Sequence, residues 1–158
     1  KFTEYCDGIN PLVNDVTPVK LTAKAKLTEG KIDMEFKVEG VPGDAKDRKM
    51  RLRMAVVEDS IRYPGSNGLR FYRHVVRAMP GGADGKELVK DEATFKESMT
   101  IDDLRTKLNN SLNKIAANDR PFPHPYRPLD LKNLKVAAWV QSDTDRAVWQ
   151  AVMVDVTE

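Results

Sequence analysis

Two stretches in which apolar and polar residues strictly alternate, residues 19–27 (VKLTAKAKL) and 31–39 (KIDMEFKVE), constrain the fold of this chain most strongly. Successive side chains of a β-strand point to opposite faces, so this pattern predicts two strands that each bury one face. The polar segment between them contains Gly30 and predicts a tight turn, hence an antiparallel hairpin. The side chains predicted to face the core are Val19, Leu21, Ala23, Ala25, Leu27, Ile32, Met34, Phe36 and Val38.

The outward faces of this hairpin carry complementary charges. Lys20, Lys24 and Lys26 lie on the first strand, whereas the second carries mainly acids, Asp33 and Glu35, together with Lys37. Opposite charges on neighbouring strands favour cross-strand pairing, which is a further reason to expect that the two stretches are partners.

The rest of the chain continues as short alternating segments, with one change of period. Five more strands are predicted, over residues 49–59, 69–79, 92–100, 134–141 and 147–156. Between the third and fourth of these, residues 101–118 place Ile101, Leu104, Leu108, Leu112 and Ile115 at helical spacing. Thr100 or Asp102 is positioned to cap this helix, and residues 119–130, which contain four prolines, predict an extended connection.

Seven strands and one helix with regular turn spacing predict a mainly β fold. We expect an immunoglobulin-like antiparallel β-sandwich of about seven strands, with the helix in a crossover between the sheets. An α+β layered fold is the alternative. Residues 1–16 lack periodicity and are expected to be an arm or linker, and residues 17–158 a single domain. Because the chain begins with Lys1 rather than Met, we expect it to be a processed or trimmed fragment of a larger protein.

Composition and charge argue against several classes of function. The chain has 26 basic and 24 acidic residues in interspersed order, and its densest basic run, residues 46–53, alternates with apolar positions as a solvated strand face does. We therefore expect no nucleic-acid partner. No stretch approaches the roughly 20 apolar residues of a transmembrane helix. Cys6 is the only cysteine, so it is a free thiol or half of a bridge to something outside this chain.

No recognisable catalytic or cofactor motif is present. His74 and His124 have no cysteine or glutamate at ligand spacing beside them, so we expect no metal site. Residues 81–86 (GGADGK) end in Gly-Lys but lack the spacing of a phosphate-binding loop. No G-x-S-x-G nucleophile elbow occurs, and we expect neither a catalytic residue nor a cofactor.

The most chemically interesting cluster joins the ends of two predicted strands. Glu58 and Asp59 precede a loop, and Arg73 and Arg77 lie on the strand that follows it. Strict alternation places the two arginines on one face and His74 on the other. We expect one arginine to be buried against Glu58 or Asp59 as a structural anchor, with binding as the alternative role of the cluster. Separately, Trp139, Trp149 and Tyr126 are candidates for a platform on which a carbohydrate ring stacks.

Two segments resemble a known family. They are MAVVEDSIRY…GSNGLRFYRHVVRAMPGGADGKEL, within residues 50–88, and LKVAAWVQSDTDRAVWQAVMVDV, within residues 134–156. Together they resemble the C-terminal β-sandwich of extracytoplasmic proteins related to the twenty-eight-kilodalton outer-membrane-protein family. The resemblance implies that this domain is the C-terminal part of a larger protein, often with a thioredoxin-like domain ahead of the sandwich. It also implies a location in the periplasm, at the outer membrane or outside the cell. This chain has no C-x-x-C motif, so a redox centre would have to lie upstream.

These observations favour a non-catalytic accessory or interaction module of a larger secreted or cell-envelope protein. Its expected partner is an upstream domain of the same polypeptide or another envelope protein. Two alternatives are a carbohydrate-binding module and a domain that completes an enzyme site formed by an upstream thioredoxin-like domain.

Overall fold

The alternating hairpin forms as predicted in the computed structural model, which describes residues 2–13, 16–118, 122 and 124–158, without the side chain of Leu12. Strand β1 (Lys20–Thr28) pairs antiparallel with β2 (Lys31–Glu39), so that Thr28 lies opposite Lys31. The two residues between them, Glu29 and Gly30, both have positive φ angles, 51° and 77°. A two-residue turn of this kind matches the twist of the strands that it joins.

The remaining elements complete two antiparallel sheets. They are β3 (Met50–Arg62), β4 (Phe71–Ala78), β5 (Lys86–Glu87), β6 (Ala93–Thr100), helix α2 (Ile101–Asn118), β7 (Leu134–Ser142) and β8 (Val148–Asp155), preceded by helix α1 (Phe2–Ile9) and a short 3₁₀ turn, Asn10–Leu12. The first sheet has the order β1-β2-β6, and the second has the order β4-β3-β7-β8, with β5 added to β3. The fold is thus a mainly β, two-sheet sandwich, and the predicted fold class is confirmed.

The core fills the space between the sheets with the side chains that alternation points inward. Ile32, Phe36 and Val38 of the first sheet, and Met50 and Val136 of the second, are completely buried. The chain also closes one edge of the sandwich, because the Leu27 amide donates to the Thr157 carbonyl oxygen at 2.7 Å. Burial of apolar side chains from both inner faces is the main favourable term in a fold of this size.

Helix α2 connects the first sheet to the second, as the change of period predicts. The Asp103 amide donates to the Thr100 hydroxyl oxygen at 3.1 Å, so Thr100 caps the helix. Leu104 is buried, and Ile101 and Leu108 are half-buried against the core. Ile115, also expected on the buried face, is exposed because it lies near the end of the helix, beyond its contact with the core.

Several boundaries differ from those expected. Residues 86–87, which lie outside the predicted strands, pair with β3 as an eighth strand. Ser60–Arg62, expected in a loop, continue β3 because β4 pairs with them. In the segment expected to be without periodicity, Phe2–Ile9 is helical, with Phe2, Tyr5 and Ile9 at helical spacing and exposed. Part of the expected extended connection, residues 119–121 and 123, lies outside the described residues, as do Lys1, Asn14 and Asp15. No helix of the described residues is long and apolar enough to cross a membrane.

We expect Gly40→Ala to destabilise the fold strongly. Gly40 has a φ angle of 70°, and an added Cβ would collide with the backbone carbonyl oxygen of Pro18. Gly30→Ala is the matched control, since Gly30 has a φ angle of 77° and nothing within 4 Å of an added Cβ. Urea unfolding is expected to give a loss of about 1 kcal/mol for the control. The loss for Gly40→Ala is expected to be at least about 3 kcal/mol. Equal losses in the two variants would contradict the steric argument.

Candidate functional site

The candidate site lies at the end of the second sheet where β3 extends beyond its neighbour β7. Strand β3 pairs with β7 from Met50 to Glu58, whereas its pairing with β4 continues to Arg62. The Asp59 amide still donates to the Asn133 carbonyl oxygen, at 3.1 Å. Beyond that bond, β3 is flanked on one side by β4 and on the other by residues 124–133. They belong to residues 119–133, which join α2 to β7 and which we call the proline-rich connection. The mismatch in strand length thus creates a recess at this end of the sandwich.

A buried ion pair forms the base of this recess. Glu58 is 3% exposed, and its Oε2 accepts a hydrogen bond from Arg77 Nε at 2.8 Å and forms an ion pair with Arg77 Nη2 at 2.6 Å. The second carboxylate oxygen accepts from the Lys132 amide at 3.1 Å, and Arg77 Nη2 also donates to the Pro128 carbonyl oxygen at 2.6 Å. Both charged groups are therefore neutralised and bonded to the proline-rich connection. This arrangement suits an anchor, since both carboxylate oxygens are already bonded to the protein.

Arg77 reaches Glu58 because β4 is irregular. Val56 and Val57 of β3 lie opposite Ala78 and Val76, which leaves Arg77 as an extra residue in a β-bulge. The second irregularity is at His74, which has a positive φ angle of 50°. A bulge at the sheet edge directs one long side chain into the space beside the core.

At the surface, Asp59 contacts the other two members of the cluster, Arg73 and His74. Its Oδ1 lies 3.1 Å from Arg73 Nη2 and 3.2 Å from His74 Nε2. Strict alternation predicts that Arg73 and Arg77 lie on one face of β4 and His74 on the other. In the structure, Arg73 and His74 both contact the Asp59 carboxylate, because the left-handed backbone of His74 breaks the alternation. The structure therefore gathers all five predicted residues at one end of the sheet, divided into a buried pair and an exposed triplet.

Next to the buried pair is a groove of about 750 Å³, which we call the β3 groove. One wall is the end of β3 with the residues that follow it, and the other is the proline-rich connection. Its lining residues are Glu58, Ser60, Ile61, Arg62, Pro64, Arg70, His124, Tyr126, Pro128, Asp130, Lys132 and Asn133. The groove thus combines charged groups, an aromatic ring and prolines, a mixture suited to binding by contact.

Tyr126 is held in place at the groove. Its backbone amide donates to His124 Nδ1 at 3.2 Å, and the two rings meet edge to face, with centroids 6.5 Å apart. The Tyr63 hydroxyl donates to the His124 carbonyl oxygen at 3.5 Å, which links this wall to the other. Tyr126 is 49% exposed, so its ring is available to a ligand.

The sequence pattern does not single out the cations of the groove, Arg62, Arg70 and Lys132. All three are exposed, and none forms an ion pair or a side-chain hydrogen bond with another residue in the described part of the chain. The available signal is that Arg62 and Arg70 bracket a loop that contains Pro64 and Gly68. Their proximity to Lys132 depends on how the proline-rich connection folds back, which the local sequence does not encode.

The three candidate stacking aromatics lie in different places. Trp139 is on the outer face of the second sheet, and its indole N–H donates to Gln141 Oε1 at 3.2 Å. Trp149 packs against the core, with the Arg48 guanidinium carbon 5.4 Å from its ring centroid. Tyr126 lies at the β3 groove. The structure therefore does not assemble them into one platform.

At the opposite end of β3, a second network ties the β7–β8 turn to the sheet. Asp143 accepts hydrogen bonds from Arg53 Nη2 at 2.6 Å and from Arg51 Nε at 2.7 Å. The hydrogen bond from Arg53, reinforced by that from Arg51, lowers the pKa of Asp143 below its ordinary value of 3.8, although partial burial opposes the change. The Asp143 carboxylate consequently makes these structural contacts in its ionised form.

The remaining candidate groups are those for metal ligation and the single thiol, in residues 2–13, 16–118, 122 and 124–158. No group of three or more His, Cys, Asp or Glu side chains in these ranges is placed to hold a metal ion. Cys6 is a half-buried free thiol in α1. His74 and His124 belong to the exposed triplet and to the groove wall, respectively.

The fold and site define the class: a two-sheet antiparallel β-sandwich with a helical crossover and a groove at one end. A solved structure with a similar fold is a domain of the outer membrane lipoprotein Omp28 from Porphyromonas gingivalis, at a TM-score of 0.53. The two chains are 15% identical, and the match covers 89% of this chain and 96% of that one. The resemblance predicted from the sequence is thus confirmed at the level of the fold. No protein-family model and no curated protein sequence matches the chain.

We expect Glu58→Gln to be much more destabilising than Asp59→Asn. The first change leaves the buried Arg77 guanidinium without its counter-ion, which costs about 3–5 kcal/mol in comparable pairs. The second removes ion pairs in which Arg73 is 65% exposed, so a loss below about 1 kcal/mol is expected. Urea unfolding at neutral pH measures the free energy of unfolding of both variants. Similar losses for the adjacent variants would show that the buried pair does not anchor this end of the sandwich.

We expect Asp143→Asn to lower stability at neutral pH and to remove part of the acid sensitivity. Because folding lowers the pKa of Asp143, its ionised form stabilises the protein above the ordinary value of 3.8. That stabilisation is lost as the pH falls through the lower pKa of the folded state. The partly exposed ion pairs are expected to contribute about 1 kcal/mol.

The measurement for Asp143 is urea unfolding at pH 7 and between about pH 5 and pH 2. Asp155→Asn, whose side chain is 73% exposed beside Lys135, is the control. An Asp143→Asn protein that loses stability with acid as steeply as the original chain would contradict the assignment.

Proposed function

We propose that this chain is a non-catalytic accessory or interaction β-sandwich module of a larger secreted or cell-envelope protein and that it works outside the cytoplasm. The observation that carries the proposal is the β3 groove. Its exposed charged and aromatic groups are suited to contact with a partner, whereas both carboxylate oxygens of the buried Glu58 beside it are already bonded to the protein. The partner is an upstream domain of the same polypeptide or another envelope protein.

The fold supports this assignment in two ways. The similar domain belongs to an outer membrane lipoprotein, which favours an envelope setting. The sheet orders β1-β2-β6 and β4-β3-β7-β8, with crossovers between the sheets, also support an immunoglobulin-like arrangement. Sandwiches of that kind commonly present interaction surfaces at their ends. We assign the cluster of Glu58, Asp59, Arg73, His74 and Arg77 the role of shaping the groove rather than of catalysis.

Carbohydrate binding is the second candidate function. It is favoured by Tyr126, whose half-exposed ring is fixed by His124 at the groove. An exposed aromatic face flanked by polar groups is able to stack on a sugar ring. This alternative uses the same groove, so one experiment at Tyr126 distinguishes the two functions.

We expect a photo-crosslinking amino acid at position 126 of the intact protein, expressed in its own cells, to capture a partner. The same amino acid in place of Lys20, which is exposed on the outer face of the first sheet, is the control. A protease-sensitive adduct from position 126 alone, in the extracytoplasmic fraction, supports the interaction module. A protease-resistant adduct sensitive to glycosidases supports carbohydrate binding instead. The proposal would be contradicted if position 126 gave no more adduct than the Lys20 control, or if the intact protein were found in the cytoplasm.

A further inference from the structure

We propose that the β3 groove binds an extended acidic segment of a polypeptide, which lies alongside the last residues of β3 as an added strand. This inference rests on the proposed interaction function and names the chemistry of the partner. It follows from a strand edge that the described residues leave unpaired, from positive charges to which they supply no ion pair, and from the fixed walls of the groove.

The first observation is the exposed strand edge. Ser60, Ile61 and Arg62 pair with Arg73, Tyr72 and Phe71 of β4, on one side of β3 only. On the other side, β7 begins at Leu134, opposite Glu58, and no strand of the described residues continues past it. Ser60, Ile61 and Arg62 all line the groove. An unpaired strand edge is a template for another extended chain, and recognition by strand addition uses this property.

The second observation is the charge of the groove. Arg62, Arg70 and Lys132 contribute three positive charges, and the described residues supply none of them with an ion pair. The acidic lining residues are Glu58, which is neutralised by Arg77, and Asp130. Positive charge is therefore in excess. Guanidinium groups bind carboxylates through paired hydrogen bonds, so an acidic ligand complements this lining.

The third observation is that the groove is already formed. The wall opposite β3 is tied down by the bond from Arg77 to the Pro128 carbonyl oxygen and by that from the Lys132 amide to Glu58. Tyr126 is fixed in the same wall by His124. A site that needs little ordering on binding gives up less of its interaction free energy.

The strand edge favours a polypeptide over an acidic sugar or phosphate. Only a second backbone offers donors and acceptors at the repeat of a β-strand, and three residues of strand present about 10 Å of such an edge. A contact of that length, with exposed ion pairs, gives modest affinity that falls as salt concentration rises.

The test uses the full chain and a fluorescent peptide of alternating glutamate and valine, with binding followed by anisotropy at low salt. The glutamine–valine peptide is the uncharged comparison. A version of the acidic peptide with alternate backbone nitrogens methylated removes the donors that strand addition needs. Polygalacturonate oligomers and inorganic phosphate represent other anions. The protein variants are Arg62→Gln/Arg70→Gln/Lys132→Gln and the matched surface control Lys20→Gln.

We expect the acidic peptide to bind, and the triple variant to bind it about tenfold more weakly or worse, whereas Lys20→Gln changes affinity less than about twofold. The glutamine and N-methylated peptides are expected to lose binding by a similar factor, and backbone amide signals of Ser60–Arg62 to shift on binding. Equal binding of the N-methylated peptide, or tighter binding of polygalacturonate or phosphate, would overturn the inference. Absence of peptide binding while position 126 still yields a protein adduct would also overturn it and leave the proposed function standing.

Discussion

The buried ion pair between Glu58 and Arg77 determines the shape of the end of the molecule that contains the β3 groove. It connects β3, β4 and the proline-rich connection, because the carboxylate also accepts from the Lys132 amide and the guanidinium donates to the Pro128 carbonyl oxygen. A buried pair is only weak evidence of added stability, since both charges lose their hydration. Its physical effect here is one of position: the connection must lie where these bonds can form, and the β3 groove follows from that placement.

The two strand edges at this end of the sandwich, those of β4 and of the end of β3, differ in regularity. Strand β4, at the outer edge of the second sheet, carries a bulge at Arg77 and a left-handed residue at His74. Irregularities of this kind discourage another chain from pairing with an edge. The end of β3, in contrast, remains regular through Arg62 and faces a groove. An irregular outer edge beside a regular recessed one directs strand addition toward the groove.

Much of the fold is predictable from the sequence because burial on one face imposes its own period. The β1–β2 hairpin, the helix capped by Thr100 and the terminal hairpin of β7 and β8 form where the patterns place them. The errors fall where the pattern is short or interrupted. Strand β5 has only two residues, and helix α1 has only eight, so its helical spacing of apolar residues covers a short segment. The extension of β3 through Ser60–Arg62 depends on β4, a partner distant along the chain.

The sequence by itself determined the layers, the inner faces and the cluster around Glu58, because these depend on local periodicity and on charges close together along the chain. Only the tertiary structure decided which arginine enters the buried pair, since that depends on a bulge in β4. It also decided that Arg62 and Lys132 share a groove with Tyr126 while Trp139 and Trp149 lie elsewhere. The physical reason is that long-range contacts depend on how separate segments satisfy one another's hydrogen bonds and charges, and no local pattern records that choice.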